Sequence, residues 1–273
     1  MLATLTGGTV YNMGIGGETA TTIAARQGVL DIVTTEDFVI PAEGEVEIMF
    51  GGSNGGSVAP RNTNLAGWNP CEIAGVKGTL SATVVKGANG SQNVAYATFT
   101  RSEKGTPIKV KAGERIAVEA QDMMGDINII FSGTNGGWSD TNVSAYASMS
   151  SADKASEIKS LIDLLEKQTK KSKNPDKYIV LGLTIGQKAA WQDLTDAMSE
   201  RFGDNFIDLR AELSKEEVLT EAGITPTSED LTAIANGQVP PSLLTDGTHF
   251  IDAGYKKIAE LVYDKLKELG YII

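Results

Sequence analysis

The chain has 273 residues, of which 24 are basic and 35 acidic, and it carries a formal net charge of −11. Nucleic-acid and anionic-membrane surfaces require clustered Lys and Arg side chains, so this charge argues against both kinds of partner. A single cysteine and a single histidine exclude an internal disulfide and an ordinary zinc site, whereas a magnesium or calcium site built only from carboxylates stays open.

The composition, with 41% hydrophobic and 22% charged residues, is that of a globular protein, and the length suits one large domain or two small ones. No stretch reaches the roughly 18 to 20 consecutive apolar residues that a membrane span needs. We therefore expect no membrane span, and the sequence singles out no residues for a cofactor or a metal.

The first 31 residues have the pattern of the start of an α/β domain. Residues 9–13 (TVYNM) predict a strand, the glycines of residues 14–17 a turn, and residues 18–26 a helix that stops before Gly28. Residues 32–125 differ, because short β-rich pieces are separated by Gly, Asn and Pro and no helical period persists. This segment predicts an all-β insertion in the α/β domain.

From residue 126 onward, strand-like and helix-like segments alternate as in a parallel α/β sheet. Predicted strands cover residues 127–132, 178–183 and 206–209, and predicted helices cover residues 151–171, 189–201, 212–222 and 252–269. The predicted organisation is therefore an α/β domain of residues 1–31 and 126–273, interrupted by a β-rich insertion domain of residues 32–125.

Two glycine-rich turns follow predicted strands, where open α/β sheets bind their ligands. The first, residues 12–19 (NMGIGGET), nearly matches a dinucleotide fingerprint. Thr19 replaces its third glycine and no βαβ unit follows, so a nucleotide site and a simple tight turn both stay open. The second, residues 133–138 (GTNGGW), offers the Asn135 amide as a donor, although Asn also occurs in such turns because it tolerates left-handed backbone angles.

The single histidine, His249, follows Asp246 by three residues in a predicted loop. A carboxylate at this spacing can bind one imidazole nitrogen, set the tautomer and leave the other nitrogen as a general base; a surface histidine is the alternative. Residues 51–55 (GGSNG) fit a nucleophile-elbow pattern around Ser53. The residues after it do not predict the helix that this pattern requires, so a glycine loop is the favoured interpretation.

Together these segments resemble sequence blocks of the SGNH hydrolases, also called GDSL esterases and lipases. Blocks two, three and five of that family are similar, in order, to Asn12-x-Gly14-x-x-Gly17-Glu18-Thr19, Gly133-x-Asn135, and Asp246-x-x-His249 followed by Gly254-Tyr255. The resemblance covers residues 1–30 and 126–273. It implies a flavodoxin-like α/β/α sandwich and ester hydrolysis by a Ser-His-Asp triad.

Residue roles follow from the same resemblance. It implies that His249 is the general base and Asp246 its orienting partner, and that Gly17 and Asn135 donate hydrogen bonds to the oxyanion. The first block of the family, a strand ending in Gly-Asp-Ser, has no counterpart, because 11 residues precede Asn12 and none is a serine. We expect a truncated chain whose nucleophilic serine is encoded upstream of Met1.

The implied substrate is a small-molecule or carbohydrate ester. Trp68, Trp138 and Asn64 are candidate sugar contacts, although buried aromatic residues are commoner than sugar-binding ones. A different class of function is the alternative, namely a non-catalytic module that retains a degenerate hydrolase domain and binds carbohydrate through the β insertion. The sequence leaves the oligomeric state open.

Overall fold

The computed structural model describes residues 1–53, 58, 65, 67–86, 92–123, 125–136, 148–184 and 188–273, and for residues 82–86, 92–96 and 188–191 it describes only the backbone. The chain divides into two compact units. The α/β unit comprises Met1–Val10 and Asp126–Ile273, and the β-rich unit comprises Tyr11–Gly125. Helices and strands are both abundant, so the prediction of a mixed α/β protein is confirmed.

Two short helices come before the first strand. Helix α1 (Leu2–Thr6) belongs to the α/β unit and ends at Gly7, whose φ of 65° is the left-handed conformation common after a helix. Helix α2 (Ala20–Arg26) begins with a capping box, in which the hydroxyls of Thr19 and Thr22 each accept a backbone N–H of the other residue. The helix predicted for residues 18–26 is therefore confirmed.

The β-rich unit contains nine strands among its described residues, and all their pairings are antiparallel. They are β1 (Ile32–Thr34), β2 (Phe38–Ile40), β3 (Glu45–Ile48), β4 (Phe50–Gly52), β5 (Cys71–Ile73), β6 (Val76–Lys86), β7 (Gln92–Arg101), β8 (Ile108–Val110) and β9 (Ile116–Val118). Five strands form one sheet in the order β3-β7-β6-β5-β9, and β1 with β4 and β2 with β8 form two smaller sheets. One side of these strands packs into a core that includes Ile40, Ile73 and Phe99.

The strand predicted for residues 9–13 is wrong, because these residues adopt no regular secondary structure. The Met13 carbonyl accepts a hydrogen bond from the Arg26 guanidinium and not from a neighbouring strand. The same guanidinium forms a buried ion pair with the Glu18 carboxylate. Ala25 of the same helix packs into the core of the β-rich unit. Contacts therefore group this part of the chain with the β-rich unit, while the predicted domain limits stay predictions.

The α/β unit alternates strands with helices after residue 126. Its further elements are β10 (Asn128–Ile130), α3 (Ser151–Thr169), β11 (Tyr178–Leu181), α4 (Lys188–Phe202), β12 (Phe206–Ile207), α5 (Leu209–Leu213), α6 (Glu216–Glu221), α7 (Ser228–Ala235) and α8 (Asp252–Glu268). The three strands form a parallel sheet in the order β10-β11-β12, with Ile130 opposite Val180 and Val180 opposite Phe206. The predicted strands and most of the predicted helices are confirmed with shifts of a few residues at their ends.

The region between β12 and α8 differs from its prediction. One helix was expected over residues 212–222, but α5 and α6 are separate, because Ser214 has φ −88° and ψ 45° and ends α5. Helix α7 was not predicted at all. Its capping box, formed by Thr227 and Asp230, is the sequence signal that would have located its start.

Candidate active site

The loop before α8 holds the single histidine. Leu244 and Phe250 form an antiparallel bridge that closes this loop. Inside it, the backbone N–H and the hydroxyl of Thr245 both donate to the His249 carbonyl, at 2.7 and 3.0 Å. Gly247 has φ +81°, a left-handed conformation that glycine adopts without steric cost. Short-range hydrogen bonds therefore shape the loop.

The Asp246 carboxylate binds the His249 side chain directly. Its Oδ2 lies 2.8 Å from His249 Nδ1, and its Oδ1 accepts the backbone N–H groups of His249 at 2.9 Å and of Thr248 at 3.1 Å. The backbone and side-chain hydrogen bonds from His249, followed by the one from Thr248, lower the pKa of Asp246 to about 2. The carboxylate is therefore ionised at neutral pH.

This geometry gives the imidazole a defined chemical role. A carboxylate at Nδ1 favours the tautomer that carries its proton on Nδ1, which leaves the Nε2 lone pair available to accept a proton. The His249 side chain is 69% exposed, so a substrate can approach the ring. The pair can act as a general base with an oriented imidazole.

Packing of Phe250 anchors the loop on the start of α8. Phe250 is buried and its ring lies edge-on to that of Tyr255, with centroids 5.6 Å apart. A Cβ at Gly254 would come within 2.7 Å of Phe250 Cδ1, closer than side-chain packing allows. Packing against Phe250 therefore explains why Gly254 and Tyr255 follow the histidine in this chain.

Asn135 lies in the same unit as the His–Asp pair. It is exposed, in a turn after β10 that is closed by a hydrogen bond from the Gly136 N–H to the Gly133 carbonyl. Because β10 and β11 are parallel, this turn and Thr184, which follows β11, lie at the same edge of the sheet.

Gly17 lies in the β-rich unit, in an exposed turn before α2 with φ +81°. The structure therefore brings together Asp246 and His249. The roles of Gly17 and Asn135 as oxyanion donors stay predictions.

A cavity of about 300 Å³ in the α/β unit reaches the loop that holds His249. Three of its lining residues carry polar side chains, two belong to that loop, and the other three are apolar. The lining consists of Thr184, Arg210, Ala233, Gln238, Val239, Pro241, Leu244 and Gly247. Sequence reasoning missed Arg210 and Gln238, because neither residue belongs to a motif.

Neither a family model, nor a curated protein, nor a solved structure matches this chain. The assignment of function therefore depends on the geometry of the chain itself. Within the described ranges, no group of three or more His, Cys, Asp or Glu side chains is arranged to hold a metal ion. The helices described here include none with the length and apolar character needed to cross a membrane.

The candidate sugar contacts change with the structure. Trp68 has no exposed surface, so the prediction that it contacts a sugar is wrong; it packs against Phe50 in the core of the β-rich unit, with ring centroids 5.7 Å apart. Trp138 and Asn64 lie outside the described residues. Ser53 follows β4, and its N–H donates to the Asp31 carbonyl, which ties it to the neighbouring strand β1.

Proposed function

We propose that this chain belongs to an SGNH-type ester hydrolase, with His249 as the general base and Asp246 as its orienting partner. The observation that carries the proposal is the 2.8 Å contact between His249 Nδ1 and Asp246 Oδ2, on an imidazole that is open to solvent. The three-stranded parallel sheet with intervening helices α3 and α4 is compatible with the flavodoxin-like sandwich that we propose for the whole fold.

In the proposed reaction, a serine hydroxyl attacks the ester carbonyl and His249 Nε2 takes the hydroxyl proton. The Asp246 carboxylate stabilises the resulting imidazolium. The Asn135 amide would donate to the tetrahedral oxyanion. Its collapse releases the alcohol, which receives the proton from His249, and water then hydrolyses the acyl-enzyme by the same route.

The test uses the reading frame extended upstream of Met1, because the serine block of the family has no counterpart in residues 1–11. We expect the extended protein to contain a Gly-Asp-Ser-like strand and to hydrolyse p-nitrophenyl acetate. His249→Ala should lower kcat/KM by a factor of about 10³ or more, because the hydroxyl loses its base.

Thr248→Ala is the matched control. It keeps the backbone N–H that donates to Asp246 and should retain nearly full activity. An extended His249→Ala protein that remains fully active would rule the proposal out, as would an upstream frame without a serine. If the extended protein is inactive and the β-rich unit binds a glycan array, the non-catalytic module is the better account.

A further inference from the structure

Five lysines lie close together where α3 connects to β11. They are Lys167, Lys170, Lys171, Lys173 and Lys177. Three of the five are exposed and two are half-buried. The same segment, residues 167–177, holds one acidic residue, Asp176. This segment, the lysine patch, is therefore a basic surface on a chain whose net charge is −11.

The ammonium groups of the lysine patch have no carboxylate partner among the residues that the structure describes. Lysines elsewhere do form such ion pairs, namely Lys104, Lys111, Lys159, Lys215, Lys256, Lys257 and Lys265. Glu166, directly before the patch, pairs with Arg201, so its charge is compensated. Lys177 lies over the Tyr271 ring, 5.6 Å from its centroid, and keeps its positive charge there. Even with Asp176, the patch retains an excess of positive charge.

The C-terminus of α3 accounts for only part of this charge. Cations near the end of a helix interact favourably with its dipole. This applies to Lys167, in the last turn, and to Lys170, the C-cap residue. The effect falls off within the last turn, so it does not account for Lys171, Lys173 or Lys177.

Hydrogen bonds hold the backbone of the lysine patch in one shape. The Lys171 N–H donates to the Gln168 carbonyl at 3.0 Å, and the Lys177 N–H donates to the Asn174 carbonyl at 2.9 Å. The Ser172 hydroxyl donates to the same Asn174 carbonyl at 2.7 Å. A surface that is already ordered loses less conformational entropy when a partner binds to it.

We propose that the lysine patch binds an acidic peptide segment of a partner protein. Lys167 and Lys170 are three positions apart, a spacing that puts their Cβ atoms about 5 to 6 Å from each other. Alternate residues of an extended peptide point to the same side, about 6.6 Å apart. Successive carboxylates of an acidic segment can therefore meet neighbouring ammonium groups.

A narrow ligand fits this surface better than a broad one. At physiological ionic strength charges are screened over about 8 Å, so a thin peptide meets the lysines and little of the acidic charge elsewhere. A DNA duplex or an anionic bilayer presents a wide and densely charged surface, which the net negative charge of the chain opposes. The ammonium group of lysine also lacks the planar fork with which arginine recognises phosphate.

The lysine patch is separate from the candidate active site. Lys177 directly precedes β11, whereas Thr184, which lines the cavity beside the His249 loop, follows the same strand. The patch and the cavity therefore lie at opposite ends of β11. A peptide bound to the patch leaves the site open, and the proposal does not depend on hydrolysis.

The first test measures binding of fluorescein-labelled octaglutamate to the 273-residue chain by fluorescence anisotropy. Octaglutamine is the neutral comparison, and a short DNA duplex and phosphatidylserine vesicles are the other anionic probes. We expect octaglutamate to bind at least about tenfold more tightly than octaglutamine at about 50 mM salt. Its binding should weaken at least about threefold at about 300 mM salt, because screening shortens the range of the attraction.

Two outcomes of this test would count against the proposal. Equal affinity for the two peptides, or octaglutamate binding that does not respond to salt, would overturn it. Tighter binding of the duplex or of the vesicles would overturn the assignment to acidic peptides.

Variants identify the residues responsible. Lys170→Gln/Lys173→Gln changes two exposed side chains and should weaken octaglutamate binding at least about fivefold. Lys104→Gln/Lys111→Gln is the matched control, because it removes the same charge from two exposed lysines that pair with carboxylates; it should bind octaglutamate normally. An equal loss in both variants would show that net charge alone decides binding and would overturn the proposal.

Lys170→Arg/Lys173→Arg keeps the charge of the patch and should bind octaglutamate nearly as tightly as the parent protein. A loss as large as that of the glutamine variant would contradict charge complementarity. A Lys170→Gln/Lys173→Gln protein that melts normally and binds octaglutamate as tightly as its parent would contradict the proposal directly. The salt dependence of the parent protein tests the proposal even if a variant does not fold.

Discussion

The candidate site begins with a single carboxylate. Asp246 accepts three hydrogen bonds from residues within three positions of itself, two from backbone N–H groups and one from the imidazole. A loop that satisfies its polar groups so locally sets the orientation of the His249 ring without help from distant residues. The contacts that orient the ring are also those that keep the carboxylate ionised.

Asp246→Asn should impair the proposed hydrolase through the imidazole tautomer. An amide offers one acceptor where the carboxylate offers two, so it cannot serve both His249 Nδ1 and the backbone N–H groups. We expect kcat/KM of the extended protein to fall by about 10² to 10⁴. Asp252→Asn, the same charge change in the first turn of α8, serves as control and should change the rate little.

The titration of Asp246 gives a second, activity-independent measurement. Its pKa is lowered to about 2, so the stabilisation from its hydrogen bonds is complete above the unfolded value near 3.9 and is lost as the pH falls through 2. Carboxyl ¹³C chemical shifts of the 273-residue chain should show this midpoint. A midpoint near 4 would show that the hydrogen bonds of the loop do not persist in solution.

At the scale of elements, one buried carboxylate connects α7 to the segment that leads into the site loop. Asp230 has no exposed surface. It accepts hydrogen bonds from the backbone N–H and hydroxyl of Thr227, which caps α7, and from the backbone N–H and hydroxyl of Ser242. Residues 241–243 form a 3-10 turn directly before Leu244, so this carboxylate positions one wall of the cavity.

Asp230→Asn should lower the free energy of unfolding by about 2 to 4 kcal/mol, because buried donors lose a charged acceptor. Chemical denaturation measures this, with the exposed neighbour Glu229→Gln as control. Burial alone would raise the pKa of Asp230, but the hydrogen bonds from Ser242 and Thr227 outweigh it and lower the pKa to about 2. The contribution of Asp230 to stability is therefore full above about pH 4 and declines toward pH 2.

This account would be contradicted if the free energy of unfolding of the parent protein did not change between pH 4 and pH 2 and Asp230→Asn behaved in the same way. Asp230 does not belong to the pair of Asp246 and His249. We therefore expect Asp230→Asn to affect the candidate active site only through the cavity wall that Ser242 supports.

At the scale of the molecule, each unit has a hydrophobic core of its own. The core of the β-rich unit is built from residues between Ile15 and Val118, whereas the core around Ile179 and Leu266 draws on α1 and on residues after 126. Separate cores are the physical basis of separate folding. The chain leaves the α/β unit after Val10 and returns to it at Asp126.

Residues 11–125 expressed alone should therefore fold. We expect β-type circular dichroism and a cooperative thermal transition. Phe99→Ala should lower the free energy of unfolding of this segment by about 3 to 5 kcal/mol, because Phe99 is fully buried. The absence of a cooperative transition in the isolated segment would mean that its core depends on the rest of the chain. A conservative change at an exposed position, such as Val39→Thr, is the control and should melt close to the parent.

The sequence by itself determined the structural features that depend on residues close together in the chain. Apolar periodicity predicted α3, α4 and α8 and the strands of the parallel sheet, and the three-residue spacing predicted the contact between Asp246 and His249, because their hydrogen bonds close within one loop. Only the tertiary structure decided the rest. The residues of the cavity come from five separate stretches of chain and have no common motif. Likewise, the Met13 carbonyl accepts a hydrogen bond from Arg26 and not from a neighbouring strand, because tertiary contacts outweigh the local strand propensity.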